Sequence, residues 1–371
     1  MNSSTYPVIK INDQDINKTD FKVKEPTVFE IHRCNIKFEF LIYYKPSNKA
    51  VICGTGSIQR ERYPLPFFTR HSWASEFNQS SIFYADPTLY DNDLTLAWYY
   101  GTNKRWYLEE IADILKMILY KMNVSANDTL CFGSSGGGYS SIVLATMLHT
   151  KATVINPQCN IMNYKEDYLN IFTEKILSDK NEKLLPERTN VINVMKTFKY
   201  MPYIHYIQNI KCTDDLNNQL YPFLKELASC NIHCSEKLYV DFYSDLGGHN
   251  AMPYKEYCLR VIENDINLNL SSFDSSLYLY DSYVNGIGIK TDVKYKNGTL
   301  SISIKPEKKD MGFVYAYYLI NDKNEAEVKI GYSDKEYCEF VDLKEGRYRI
   351  KYYIKDASQQ KMSFFTNYIQ C

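Results

Sequence analysis

The pattern of apolar and polar residues over the first 270 positions predicts alternating strands and helices. Ile36–Tyr44 alternates and then turns apolar, and Ala50–Cys53 is a short apolar run, so we interpret them as the first two strands of a buried sheet. Apolar residues recur at helical spacing in Trp106–Met122, which predicts an amphipathic helix. Further strands are predicted at Ser81–Asp86, Asp128–Phe132, Ala152–Asn156, Tyr203–Gln208 and Lys237–Tyr243. This rhythm is typical of a doubly wound, mostly parallel α/β sheet with right-handed crossovers.

The pattern changes after about residue 275, where helical spacing stops. Short alternating segments follow one another from Leu277 to Lys355, separated by turn sequences such as Lys296–Gly298. These segments predict a C-terminal all-β sandwich.

The two patterns together predict the domain organisation. We expect an N-terminal β segment at 1–34, an α/β domain at 35–268 and the β-sandwich domain at 275–371. Residues 161–200 are charged and helical in pattern and interrupt the α/β rhythm. We interpret them as a helical lid insertion over the strand ends, where open α/β sheets hold their sites.

A glycine-rich turn lies between a predicted strand and a predicted helix at residues 133–137. Its sequence Gly-Ser-Ser-Gly-Gly fits G-x-S-x-G, the sharp turn that lifts a serine out of a sheet towards solvent. Residues two positions before and after that serine must lack side chains for strand and helix to pass closely. Ser135 is therefore the candidate nucleophile. Neither G-x-G-x-x-G nor the lysine of a phosphate loop is present, and a purely structural turn is the alternative.

Polar residues after the later strands predict partners for Ser135. His249 lies in a polar loop beyond the last predicted strand. An imidazole, whose ordinary pKa is near neutrality, could take the serine proton and return it to a leaving group. The acid normally follows an earlier strand, where Asp214 and Asp215 occur, and we choose Asp214. Both carboxylates could instead cap the helix that follows. Asp245 is the alternative acid.

Two further loops supply candidate site residues. The amide of Gly136 and that of Thr55, in the Gly54–Ser57 loop, could form an oxyanion hole, although an ordinary glycine turn explains the second loop equally well. Arg70 and Trp73 lie in an aromatic and basic loop and could contact substrate or line the wall of the cleft.

Length and charge narrow the classes of function. A chain of 371 residues is long enough for two domains, and its formal net charge of -1 gives no electrostatic case for nucleic acid or an anionic membrane. No apolar stretch approaches the roughly 18 to 20 residues of a membrane span, and the polar start does not resemble a signal peptide, so we expect a cytoplasmic protein. The one tight group of potential metal ligands, Cys230, His233 and Cys234, lacks further ligands nearby and predicts plain thiols without a metal.

Four sequence motifs carry a resemblance to a known family. They are Gly-Ser-Ser-Gly-Gly-Gly-Tyr at 133–139, Asn156-Pro-Gln158, Gln208-Asn209 and Gly-Gly-His-Asn at 247–250. Over about residues 35–268 the chain resembles the α/β-hydrolase-fold acyl-transfer proteins of bacterial surface-glycan systems, including capsule O-acetyltransferases and accessory-secretion proteins that O-acetylate adhesin glycans.

The resemblance implies a fold, a chemistry and partners. It implies an α/β-hydrolase-like sheet, Ser135 as nucleophile, His249 as base and an acyl-serine intermediate. It implies a saccharide or polysaccharide substrate, surface-glycan biosynthesis proteins as partners and no cofactor, with acetyl-CoA as a conceivable acyl donor. It does not choose between a sugar hydroxyl and water as the acceptor.

The C-terminal segment Gly346–Asp356 resembles the last strands of immunoglobulin-like three-tyrosine modules. Such modules bind partners or glycans, or only pack against a neighbour.

These observations lead to one hypothesis and two alternatives. The hypothesis is serine-dependent O-acetyl transfer to a bacterial polysaccharide or glycan hydroxyl. An esterase, deacetylase or peptidase could use the same triad, and a non-catalytic glycan-binding or assembly protein could share the same fold.

Overall fold

The structure, a computed structural model, describes residues 6–177, 179, 181–230, 237–268, 282–284, 287–306, 312–323, 325–357, 359, 361–366 and 368–371. The chain divides into two compact units. The first joins Met1–Leu227 to Cys234–Leu277 and is α/β, and the second joins Ala228–His233 to Tyr278–Cys371 and is mainly antiparallel β. The predicted fold class, a mostly parallel α/β-hydrolase-like sheet with a C-terminal all-β domain, is confirmed.

The first unit is built around a nine-stranded sheet with the order β1-β2-β3-β5-β4-β6-β7-β8-β9. Strand β3 runs antiparallel to both of its neighbours, and every pair from β5 to β9 is parallel. Strand β1 pairs parallel with β2, so the N-terminal strands extend the same sheet. The strands are β1 (Val8–Asn12), β2 (Thr27–Arg33), β3 (Ile36–Tyr43), β4 (Ala50–Gly54), β5 (Ser80–Tyr84), β6 (Thr129–Ser134), β7 (Lys151–Ile155), β8 (Tyr203–Asn209) and β9 (Leu238–Tyr243).

Helices connect these strands and cover the sheet. They are α1 (Tyr107–Lys121), α2 (Gly136–Leu148), α3 (Glu166–Ile176), α4 (Val191–Phe198), α5 (Thr213–Asp215), α6 (Tyr221–Ser229) and α7 (Lys255–Ile266). Helix α2 packs against α1 and α4 and is buried along its whole length. Helices α3 and α4 occupy the predicted insertion at 161–200, and its role as a lid remains a prediction.

Alternation along the central strands explains why both faces of the sheet need cover. Val51 and Cys53 of β4 and Leu130 and Phe132 of β6 pack in one cluster with Val261 and its neighbours on α7. The intervening residues of these strands point to the opposite face and are buried as well. Because the neighbouring strands between β5 and β9 in the sheet are parallel, their carboxyl ends lie at one edge. The loops beyond these ends are therefore close to one another.

The second unit contains two antiparallel sheets, one with the order β10-β11-β12-β15 and one with the order β14-β13-β16-β17, where β18 also pairs with β16. Apolar residues from both sheets form one core, for example Ile302 from the first and Ile350 from the second. The strands are β10 (Ser282–Val284), β11 (Ile287–Lys296), β12 (Thr299–Pro306), β13 (Val314–Asn321), β14 (Ala326–Ser333), β15 (Tyr337–Phe340), β16 (Arg347–Lys355), β17 (Lys361–Phe365) and β18 (Ile369–Gln370).

A buried charged cluster ties β8 to α7 and β9. Nδ1 of His205 lies 2.8 Å from Oδ2 of Asp265, and Nε2 lies 3.2 Å from Oδ2 of Asp241. The Thr153 hydroxyl donates to the same oxygen of Asp265 at 2.6 Å. Burial acts to lower the pKa of His205, but the two carboxylates outweigh it and raise the pKa above its ordinary value of 6.5.

We predict that His205 stabilises the fold in a pH-dependent way. Because its pKa is higher in the folded than in the unfolded state, its contribution is complete below pH 6.5 and is lost as the pH rises through the folded-state value. His205→Gln should lower the free energy of unfolding by about 3 kcal/mol at low pH, because it removes one partner of a buried pair. Denaturant unfolding of both proteins from pH 5.5 to 9 measures the difference, which should shrink as the pH rises.

His149 provides a matched control. Burial and the nearby Lys116 lower the pKa of His149, so the sign of its linkage is opposite. The difference in unfolding free energy between the native protein and His149→Gln should rise with pH. A pH-independent difference for His205→Gln would contradict the assignment of its charge.

Candidate active site

The candidate nucleophile occupies a strained turn between β6 and α2. Ser135 has φ 54° and ψ -127°, a conformation that side-chain-bearing residues rarely adopt. A Cβ atom at Gly133 would lie 2.1 Å from the Gly137 carbonyl oxygen, so the first glycine of the motif is needed for strand and helix to pass. At Gly137 a Cβ atom would lie 2.6 Å from the Gly54 carbonyl oxygen on β4. The two glycines therefore allow the tight turn that holds Ser135 between β6 and α2.

Ser135 and His249 meet as the sequence predicts, and the acid is the neighbour of the one chosen. Nε2 of His249 lies 2.8 Å from Oγ of Ser135, and Nδ1 lies 2.7 Å from Oδ2 of Asp215. The choice of Asp214 is wrong, because its exposed side chain only lines the cavity while that of Asp215 is buried beside the imidazole. The alternative acid, Asp245, instead accepts the amide of Gly247 in its own turn.

Two asparagines at strand ends position the histidine loop. Sequence analysis quoted both in motifs of the family resemblance but assigned neither a role. Nδ2 of Asn156, just beyond β7, donates to the carbonyl oxygen of His249 at 3.2 Å. Nδ2 of Asn209, the last residue of β8, donates to the carbonyl oxygens of Asp245 and Gly248 at 2.7 and 2.9 Å. The two are also joined, because the Asn209 amide donates to Oδ1 of Asn156 at 2.8 Å. The signal that could have found them is the position of each asparagine at the end of a predicted strand.

The predicted oxyanion hole needs one correction. The amide of Thr55 donates to the buried Tyr99 hydroxyl at 2.9 Å, so this hydrogen is already used within the protein. Gly56 lines the cavity instead, and a Cβ atom there would lie 3.8 Å from the amide nitrogen of Gly136. The amide of Gly136 opens α2 and has no earlier helical carbonyl to bind, so it remains the first candidate donor for an oxyanion.

A cavity of about 540 Å³ surrounds the serine and is lined mostly by polar groups. Besides Ser135, His249, Asp215 and Asp214, its lining includes Arg70, Lys165, Gln158, Asn163, Asn218, Gln219, Asn250 and Met252. Asn163 and Lys165 belong to the inserted segment, which therefore supplies part of the wall. Such a lining suits a ligand with many hydrogen-bonding groups.

The two residues predicted to contact substrate lie in different places. Arg70 lines the cavity, and its Nη2 donates to Oγ of Ser134 at 2.7 Å. Trp73 is not among the lining residues described and packs on the core, with its ring centroid 6.3 Å from that of Phe132. Trp73 therefore supports the cleft wall from behind.

Gln158 also lines the cavity, and sequence analysis gave it no role in the site. It is 2 % exposed, and Trp98 donates its indole hydrogen to Oε1. Because that indole nitrogen can only donate, the contact fixes which end of the amide is oxygen. Among the side chains that the structure describes, Nε2 of Gln158 is a buried nitrogen with no hydrogen-bond partner. Gln158 lines the cavity, and this buried donor of its side chain is left without a partner.

One group in the described residues could offer three metal-ligand atoms, namely Cys212, Asp215 and His249, with these atoms within 4.8 Å of one another. Burial and the Asp215 side chain raise the pKa of the Cys212 thiol to about 11, so this thiol is protonated at neutral pH. The hydrogen bonds already account for Asp215 and His249. In the group predicted to be plain thiols, His233 and Cys234 lie outside the described residues.

Comparisons with known proteins give structural likenesses at low identity. No family model matches the chain, and no curated protein matches it. A capsule O-acetyltransferase of Neisseria meningitidis serogroup A matches with a TM-score of 0.47 and 18% identity over 63% of this chain and 96% of that chain. An esterase of Pyrobaculum calidifontis has a TM-score of 0.45 and 13% identity, covering 68% and 88% of the two chains.

A glycosylation-associated protein complex of Streptococcus agalactiae also matches, with a TM-score of 0.43 and 16% identity over 63% of this chain and 44% of that chain. At these low identities and TM-scores, the likenesses do not indicate the activity of this chain. In the part of the chain that the structure describes, no helix is long and apolar enough to cross a membrane.

We predict that Asp215, and not Asp214, orients His249. Asp215→Asn should slow the reaction of Ser135 with a fluorophosphonate about 10³- to 10⁴-fold, because an amide at Nδ1 can hold the wrong imidazole tautomer. Asp214→Asn removes the same charge from the adjacent residue and should keep the rate within about threefold, because an exposed charge is well screened. The rates are measured by stopped labelling time courses, and the reverse order of the two variants would refute the assignment.

Proposed function

We propose that this protein transfers an acyl group through an acyl-serine intermediate. The observation that carries the proposal is the hydrogen-bonded chain from Ser135 through His249 to Asp215 on a strained elbow. A loop histidine that only packs would not need bonds at both ring nitrogens to a strained serine and a buried carboxylate. This arrangement is the one that makes a serine hydroxyl nucleophilic.

The mechanism follows from the positions of these atoms. Oγ of Ser135 attacks the carbonyl carbon of the donor while Nε2 of His249 accepts the hydroxyl proton. The charge that develops on the carbonyl oxygen is stabilised by the amide of Gly136, and Asp215 stabilises the imidazolium through Nδ1. Collapse breaks the bond to the leaving group, which takes the proton from Nε2. An acceptor hydroxyl, deprotonated by the same nitrogen, then attacks the carbonyl carbon of the acyl-serine. The bond to Oγ of Ser135 breaks, Oγ takes the proton back from Nε2, and the new ester leaves.

The polar cavity favours a hydroxyl-rich acceptor over an apolar one. Asn163, Asn218 and Asn250 offer both donors and acceptors, and Gln158 adds a buried donor that still needs a partner. Together with the family resemblance, these groups support O-acetyl transfer to a saccharide or polysaccharide hydroxyl. An activated acetyl donor such as acetyl-CoA would supply the acyl group, and other surface-glycan biosynthesis proteins would be natural partners.

Hydrolysis is the second candidate, because water can reach the base. The His249 side chain is 32% exposed, so a water molecule could compete with a sugar hydroxyl for the acyl-serine. An esterase or deacetylase would use every step given above except the identity of the acceptor.

A fluorophosphonate probe tests the proposed nucleophile. The native protein should be labelled on Ser135, whereas Ser135→Ala should not react and His249→Ala should react at least about 10³-fold more slowly. Mass spectrometry of the labelled peptide identifies the residue, and circular dichroism shows that the variants are folded. A folded native protein that stays unlabelled would move the non-catalytic glycan-binding role ahead.

Product partition tests transfer against hydrolysis. With p-nitrophenyl acetate as donor, release of p-nitrophenol measures acylation, and chromatography separates acetate from acetylated sugar. If the site is built for a saccharide, glucose at high concentration should divert acetyl groups from water to sugar, and the acetylated sugar should exceed that formed with Ser135→Ala. Acetate as the sole product at every sugar concentration would favour the esterase.

A further inference from the structure

One charged group in the cavity has no opposite charge beside it. The Arg70 guanidinium donates from Nη2 to Oγ of Ser134 at 2.7 Å and contacts Sδ of Met252 at 3.3 Å. Its central carbon lies 5.6 Å from the ring centroid of Trp73 and 5.5 Å from that of Phe132. All four neighbours are uncharged, and no described carboxylate lies within ion-pair distance of Arg70.

The surroundings of Arg70 are unfavourable for a cation that is left alone. Burial lowers the pKa of the guanidinium, which nevertheless stays charged at neutral pH because its ordinary pKa is so high. Arg70 is half-buried in the wall of the cavity. Even a half-buried charge without a counter-charge costs free energy, and the flanking rings compensate only in part. If Arg70 served only to hold Ser134, a neutral donor would do so without that cost.

The other charges of the cavity do not neutralise Arg70. Asp215 is engaged with His249, while Asp214 and Lys165 are exposed and therefore screened by water. Arg70 is also next to the reacting centre, because the hydroxyl it contacts belongs to the residue that precedes Ser135. A guanidinium has five N–H donors in a fork that matches the oxygens of carboxylate and phosphate groups.

We propose that Arg70 binds an anionic group, a carboxylate or a phosphate, carried by the substrate of this site. The inference rests on the proposed acyl transfer and narrows its substrate to an anionic molecule. The anion could belong to the acyl donor, for example on its leaving group, or to the acceptor, for example as a sugar acid. In either case Arg70 holds the charge while Ser135 reacts with a neutral carbonyl.

The first arm of the test places the anion on the leaving group. The native protein and Arg70→Gln are compared on 4-acetoxybenzoate, which is anionic, and on its neutral methyl ester. The ratio of kcat/KM for the anionic to the neutral ester should fall about tenfold or more in Arg70→Gln, mainly through KM, and recover in part in Arg70→Lys. Comparing ratios cancels any general loss of activity from disturbing Ser134.

The second arm places the anion on the acceptor. Acetyl transfer from neutral p-nitrophenyl acetate is measured to glucuronate and to glucose, and the preference for glucuronate should be lost in Arg70→Gln. Arg62→Gln is the matched control, because it removes the same charge from an exposed arginine outside the cavity lining and should keep both preferences. The arm that responds to Arg70 identifies which substrate carries the anion.

Binding of inorganic phosphate separates this inference from the catalytic proposal. Phosphate should quench or shift the tryptophan fluorescence of the native protein, because Trp73 lies against Arg70, and should have no saturable effect on Arg70→Gln. Arg70-dependent phosphate binding without turnover of either ester would leave the anion site standing and refute acyl transfer. If both esters and both acceptors respond equally to Arg70→Gln and phosphate binding is unchanged, Arg70 only positions Ser134 and the anion site is refuted.

Discussion

The close approach of β6, β4 and α2 at three glycines is the constraint on which the rest of the site depends. Carbonyl oxygens of Gly54 and Gly137 occupy the space that a side chain at Gly137 or Gly133 would need, so no other residue fits there without moving the backbone. This packing holds Ser135 in its strained conformation, because relaxing the turn would require the buried helix α2 to leave the sheet. The packing of the core therefore maintains the strained conformation, with Ser135 half-buried in the lining of the cavity.

The remaining groups reach the serine because parallel strands end at a common edge. Asn156 follows β7, Asn209 ends β8, and the amides of both side chains hold the loop that carries His249 beyond β9. Asp215 comes from the first helical turn after β8. Each contact is a modest hydrogen bond, but together they hold the loop of His249 in the position where its ring meets Ser135 and Asp215.

The sequence was sufficient for most of the elements and for two of the three residues in the hydrogen-bonded chain from Ser135 through His249 to Asp215. Short apolar runs and helical spacing located the central strands and α1, and the glycine motif located Ser135. Asp214 and Asp215 could not be separated, because adjacent residues in a helical turn point about 100° apart and only the position of His249 decides between them. The amide of Thr55 was predicted to face an oxyanion but instead donates to the hydroxyl of Tyr99. That partner is 44 positions away, and no local sequence pattern reveals it.

Gln158 has a side-chain amide that is fixed in orientation but has one hydrogen-bonding group unused. Trp98 fixes its Oε1, and the Trp98 ring is itself packed edge to face against the rings of Tyr164, Tyr168 and Phe172. The result is a rigid amide whose buried Nε2 is left without a partner, although such an atom costs roughly 1 to 3 kcal/mol. An apolar side chain would avoid the cost. Under the proposed function, we expect a hydroxyl of the substrate to supply the missing acceptor once it reaches this wall of the cavity.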